Sequence, residues 1–223
     1  MIHRLPIWII LGSVLLALNA GFINSVALLS FANNAVSHVT GTATIAADAL
    51  VRGHWQTLAN TGLIVICFLL GAIISGAIVG NEALRMGRRY GVALLLESIL
   101  LALAWYGFRQ GAFYAELCAS AACGLQNAMV ATYSGSVIRT THLTGIVSDI
   151  GSTLGNFFAG RGLLKTQLKL QSAILFAFLG GAAVGSVVFQ YWSYHAVLLS
   201  SLWVLIVAII YVIYSQNSRD VDN

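Results

Sequence analysis

Charge is what this sequence has least of. Of its 223 residues, 8% are Asp, Glu, Lys or Arg, where a soluble domain carries about a quarter. Hydrophobic residues make up 59%, and the mean hydropathy is +0.87. So few charges cannot cover a water-facing surface of this size, so lipid must replace water around most of it. The length fits a single membrane domain, residues 1–223, with nothing left over for an attached catalytic module. Cysteine is sparse as well. Cys67, Cys118 and Cys123 lie inside apolar segments without metal-type or CxxC spacing, which makes them ordinary core residues. No HExxH, nucleophile elbow or other catalytic spacing occurs. The chain is therefore expected not to be an enzyme, and no cofactor or metal is implied.

The basic balance, +4 with a pI near 9.2, does not point to nucleic acid. The basic residues sit in short clusters between apolar runs, where they set orientation in a membrane. The apolar run that follows Arg4 continues to Phe31, longer than the core of a signal peptide. It is expected to remain as a span.

Crossing about 30 Å of hydrocarbon takes roughly 20 helical residues. Six segments meet or approach that length: 7–31, 57–79, 91–108, 112–133, 171–190 and 195–215. Two more, 38–51 and 142–160, are shorter and studded with Gly, Thr and Ser, and each carries an aspartate, Asp48 or Asp149. If both short segments re-enter without crossing, nine basic residues fall inside and only Arg52 and Arg109 outside. If both cross, the split is seven against four. The positive-inside rule favours the first arrangement, with both termini cytoplasmic. Trp105, Tyr106, Tyr191, Trp192 and Tyr194 then mark outer helix ends, and Trp8, Tyr90, Tyr211 and Tyr214 inner ones.

The chain also resembles itself. Asn19–Ala20–Gly21–Phe22–Ile23–Asn24–Ser25 is similar to Ala122–Cys123–Gly124–Leu125–Gln126–Asn127–Ala128. Ser37–His38–Val39–Thr40–Gly41 matches Thr141–His142–Leu143–Thr144–Gly145, and Phe68–Leu69–Leu70–Gly71–Ala72 matches Phe178–Leu179–Gly180–Gly181–Ala182. Three matches in the same order define two halves, 7–108 and 112–215. With three crossings per half, the second half starts on the opposite side from the first. The expected fold is an all-α polytopic membrane protein with about six spans, two re-entrant segments and an inverted 3+3 repeat.

The repeated His–x–Thr–Gly blocks introduce the short segments. Thr caps helices and Gly tolerates unusual backbone, so Thr40 and Thr144 are expected to start half-helices whose free N–H groups face a midplane cavity. Asn24, His38, Thr40, Gly41, Asn127, His142, Thr144 and Gly145 are the candidate solute-binding residues. Asp48 and Asp149 are candidate coupling acids, because ionisable groups at membrane depth usually mark a pathway. The competing reading makes the two histidines buried breaks bonded to carbonyls of neighbouring helices. Glu116 is expected at the interface. Glu97 is expected to pair with Arg139 or a neighbouring helix, or else to couple protons.

These blocks, with Arg139–Thr140 preceding the second, resemble the YoaK-like family of bacterial multi-pass membrane proteins of unestablished function. The resemblance covers nearly the whole chain. It departs at Asn24, where members often carry an acid, and at Thr42, where they carry Asn. It implies a bacterial inner membrane and supplies no substrate.

The role expected from these features is a transporter or channel-like permease with its site between the halves. The partners would be the bilayer, a small polar or anionic solute and a second copy of the chain, but no nucleic acid. A scaffold, sensor or accessory subunit is the alternative, and an intramembrane enzyme using His and Asp the remote one.

Overall fold

Apolar runs of this length satisfy their own backbone polar groups best as helices, since hydrocarbon offers no partners. The computed structural model describes residues 5–30, 36–80, 88–135 and 138–221, and among these the chain forms eight helices and no strand. They are α1 (Ile7–Leu28), α2 (Val39–Arg52), α3 (Trp55–Val79), α4 (Arg88–Arg109), α5 (Tyr114–Tyr133), α6 (Leu143–Phe158), α7 (Lys165–Trp192) and α8 (His195–Val221). Arg4, Phe31 and Arg85, which enter the span and charge expectations, lie outside the described residues.

Five helices are long and apolar enough to cross a membrane: α1, α3, α4, α7 and α8. Their outward faces carry exposed Leu63, Ile66 and Leu69 on α3, Phe176 on α7, and Ile206 and Ile210 on α8. An apolar surface this continuous is a lipid-facing surface. The protein is a polytopic helical membrane protein.

Helix directions follow from paired contacts. On α1 and α7, Leu18 meets Gly181, Phe22 meets Gly185, and the Ser25 and Ser186 hydroxyls lie 2.6 Å apart. The numbers rise together, so these helices run parallel. α3 and α5 are parallel too: Ser120 Oγ donates to the Ile64 carbonyl at 2.8 Å, and Gly124 seats on Phe68. In contrast α4 and α8 run antiparallel. Gly91 meets Val212, Ser98 and Ser201 donate to each other's carbonyls at 2.9 and 2.8 Å, and Trp105 Nε1 donates to His195 Nδ1 at 3.4 Å. At one end of the bundle Trp8, Tyr90, Tyr133 and Tyr211 pack together. At the other, Tyr194 stacks on Phe108 and meets Phe189 edge-on, and Arg109 lies over Trp105.

Close helix approach depends on glycine at matched places. A side chain at Gly21 would strike the Phe178 carbonyl, and one at Gly124 would strike the Phe68 carbonyl. Likewise Gly181 abuts Leu18 and Gly71 abuts Ala121. Small residues at these crossings let the backbones touch.

The two short helices behave differently from the rest. Gly53, left-handed at φ 71°, ends α2, and His54 N–H donates back to the Ala49 carbonyl at 2.8 Å. The chain reverses there in two residues, so α2 lies back along the first half of α3. α6 lies along α7 in the same way, where Gln171 Nε2 reaches Asp149 at 2.8 Å. Because α3 and α7 start at opposite ends of the bundle, Arg52 and Arg161 lie at opposite ends. Both short helices follow the predicted segments closely. α7, by contrast, begins at Lys165, earlier than predicted, because Lys165–Lys169 is helical but too polar to register as a span.

Candidate functional site

The starts of α2 and α6 come together. His38, Val39 and Thr40 from one, and Thr141, His142, Leu143 and Thr144 from the other, line a cavity of about 180 Å³. Ser37, Phe68, Asn127 and Arg139 complete its wall. Phe68 lies near the middle of the 25-residue α3, so the cavity sits at mid-height of the bundle. Its volume suits a small solute or a few waters.

The local sequence explains this geometry. The helices begin at Val39 and Leu143, so His38 and His142 are the N-caps, not Thr40 and Thr144 as expected. Neither imidazole makes a capping hydrogen bond. Each ring instead folds over the first turn, into the space a side chain at Gly41 or Gly145 would fill. The glycine four residues into each Ser/Thr–His–x–Thr–Gly block is therefore the seat of its own histidine. Thr40 and Thr144 stand in the first turn on the cavity wall, with their carbonyls taking hydrogen bonds from Thr44 and Ser148 at 2.9 Å each.

The segments before the caps are held by asparagines on the neighbouring long helices. Asn24 Oδ1 accepts from Ser37 N at 3.2 Å and from Ser37 Oγ at 2.8 Å. Asn127 Oδ1 accepts from Thr141 N at 3.4 Å. Asn127 also borders the cavity, whereas Asn24 lies behind Ser37 and does not. Both asparagines thus tie a helix start to α1 or α5.

Asp48 and Asp149 lie away from the cavity. Asp48 is exposed and ion-paired with Arg52 one turn on at 2.8 Å. Asp149, also exposed, accepts from Gln171. His142 is the N-cap of α6, outside the helix that carries Asp149. Glu116, expected at the interface, is wholly buried in the first turn of α5. Glu97 is buried too, and its partner is Gln126 at 2.7 Å rather than Arg139. Among the described residues no three His, Cys, Asp or Glu side chains gather as a metal site.

Arg139, which the sequence offered as a partner for Glu97 and as part of a motif, is a wall residue of the cavity. It lies in the segment connecting α5 to α6 and lines the same cavity as both histidines. Its position just before a Thr–His block was the available hint.

A bundle of long apolar helices with two short helices starting at a shared polar cavity defines a membrane protein with a polar cavity at mid-height. The chain belongs to the DUF1275 family of proteins of unknown function, whose model matches residues 12–210. No curated protein matches the chain, and no solved structure does.

Proposed function

We propose that this protein is a small-solute permease whose substrate occupies the cavity between the starts of α2 and α6. One observation carries the reading. His38, Thr40, Arg139, His142 and Thr144 keep exposed surface around one cavity, level with the middle of α3. Hydrocarbon at that depth would penalise a guanidinium and unpaired imidazoles by several kcal/mol each, on the order of the insertion costs for charged side chains. Water or a polar solute must therefore occupy the space. Arg139, two imidazoles and the free N–H groups of two helix starts favour an anionic or strongly polar solute.

The halves 7–108 and 112–215 make an inverted repeat with six crossings, α5 being the sixth, and two re-entrant helices. Supporting this are the antiparallel α4 and α8, the parallel pairs α1–α7 and α3–α5, and the matched glycine seats and asparagine ties in each half. In such an architecture the substrate lies at the interface of the repeats, and access alternates by rocking of one half against the other. The membrane is the bacterial inner membrane, with both termini cytoplasmic on the eight-to-two split of basic residues that remains once Arg139 is assigned to the cavity.

Uptake into proteoliposomes across a panel of organic and inorganic anions and neutral polar metabolites tests the reading. Accumulation of at least one solute that is abolished by Arg139→Gln and by the His38→Ala, His142→Ala double variant is the expected result. No uptake of any solute by protein shown to be folded would reject it.

A further inference from the structure

Of the two buried acids that do not line the cavity, Glu97 and Glu116, Glu97 is the one hydrogen-bonded toward it. It is 1% exposed, on α4. Its Oε1 accepts from Gln126 Nε2 of α5 at 2.7 Å, and Gln126 Oε1 accepts from Thr140 Oγ1 at 3.1 Å. Oε2 is buried with no hydrogen-bond partner among the described residues. Thr140 is wholly buried, and its sequence neighbours Arg139 and Thr141, with His142 beyond, line the cavity. Two hydrogen bonds thus join a buried carboxyl to the segment that forms one cavity wall.

From this geometry we infer that Glu97 is a proton-binding site coupled through Gln126 and Thr140 to occupation of the cavity. The inference rests on the reading that the cavity takes a solute. Among the described residues an ionised Glu97 has one amide donor and no cation to offset its desolvation, and a charge held so poorly is costly. Among the described residues, Cys123 and Tyr133 of α5 are titratable groups that act with it. Next to it on α4, Ser98 meets Ser201 of α8, and no charged group on α3 or α8 acts on Glu97 among the described residues. Adding a proton removes the charge and reverses the chain. Glu97 O–H then donates to Gln126 Oε1 once the amide turns over, and the amide N–H donates to Thr140 Oγ1. Thr140's own proton, which points at Gln126 when Glu97 is ionised, is released to seek another acceptor. No heavy-atom bond forms or breaks, and the proton comes from water admitted through the cavity. By linkage, a solute that engages the 139–142 segment must in turn bias the protonation of Glu97. The matching crossing of α8 on α1 has Ser200 donating to Asn19 at 2.7 Å, so that pair supplies no acid.

Infrared spectroscopy of the full-length protein in lipid nanodiscs tests this without a substrate. The expected result is a protonated-carboxyl absorption that is lost in Glu97→Gln and kept in Asp48→Asn. It should shift in frequency in Thr140→Val, return in Thr140→Ser, and exchange its proton in deuterated buffer. A spectrum that Glu97→Gln leaves unchanged overturns the proposal. So does an absorption indifferent to Thr140→Val and closed to deuterium, which marks a sealed structural acid. These readouts are independent of uptake, so their failure leaves the permease reading standing, and failed uptake leaves the spectra unaffected.

Discussion

At the scale of single residues, the repeated block has a division of labour. The histidine ends the irregular segment and lays its ring on the first turn, the glycine leaves room for the ring, and the threonine faces the cavity. Gly145→Ala should therefore push the His142 ring off its seat. Alanine is the better helix former by about 1 kcal/mol, so thermal stability in detergent should hold or rise slightly while uptake falls. A loss of stability of several kcal/mol would mean that the ring cannot move aside. Asn24 and Asn127 make a second residue-level case. Asn24→Leu leaves the Ser37 N–H without its partner and should cost about 1–3 kcal/mol, whereas Asn24→Asp keeps an acceptor at Oδ1 and should be tolerated. Equal damage from both, measured by thermal unfolding, would show that Asn24 does more than accept those bonds.

Among elements, the long helices touch through glycine and the short ones through one face only. Gly124→Val drives a branched side chain into the Phe68 carbonyl, where a core overpacked in this way loses about 1–3 kcal/mol. Gly12 has open space around it, and Gly12→Ala should change little. A comparable loss at both positions would mean that close packing of α3 on α5 is not what Gly124 provides. The short helices explain where sequence reasoning succeeded and where it stopped. Their bounds were legible, because a polar-studded run of this length between longer apolar ones has few alternatives. Their facing was not. α2 meets the bundle mainly along α3, so Asp48 turns outward to Arg52, and nothing in a residue list distinguishes that from an acid turned inward. For the same reason Asp48→Asn removes only an exposed pair worth about 0.3–0.5 kcal/mol and should leave uptake intact. Arg139 and Thr140 were hidden because their roles depend on how the segment before α6 folds back onto α5, a contact between pieces far apart in composition.

For the whole molecule, the two halves matter more than any single site. Three short sequence matches are the basis for proposing them, and the paired contacts give a direction to every long helix. If the repeat is inverted, α2 and α6 enter from opposite faces and the residues just beyond them, Arg52 and Arg161, lie on opposite sides of the membrane. If both short segments crossed instead, these two positions would lie on the same side. Single cysteines at 52 and at 161, in a chain whose Cys67, Cys118 and Cys123 have been replaced, can be labelled in intact cells with a membrane-impermeant maleimide. We predict that position 52 reacts from outside and that position 161 reacts only after the membrane is opened. Labelling of both from the same face would contradict the account.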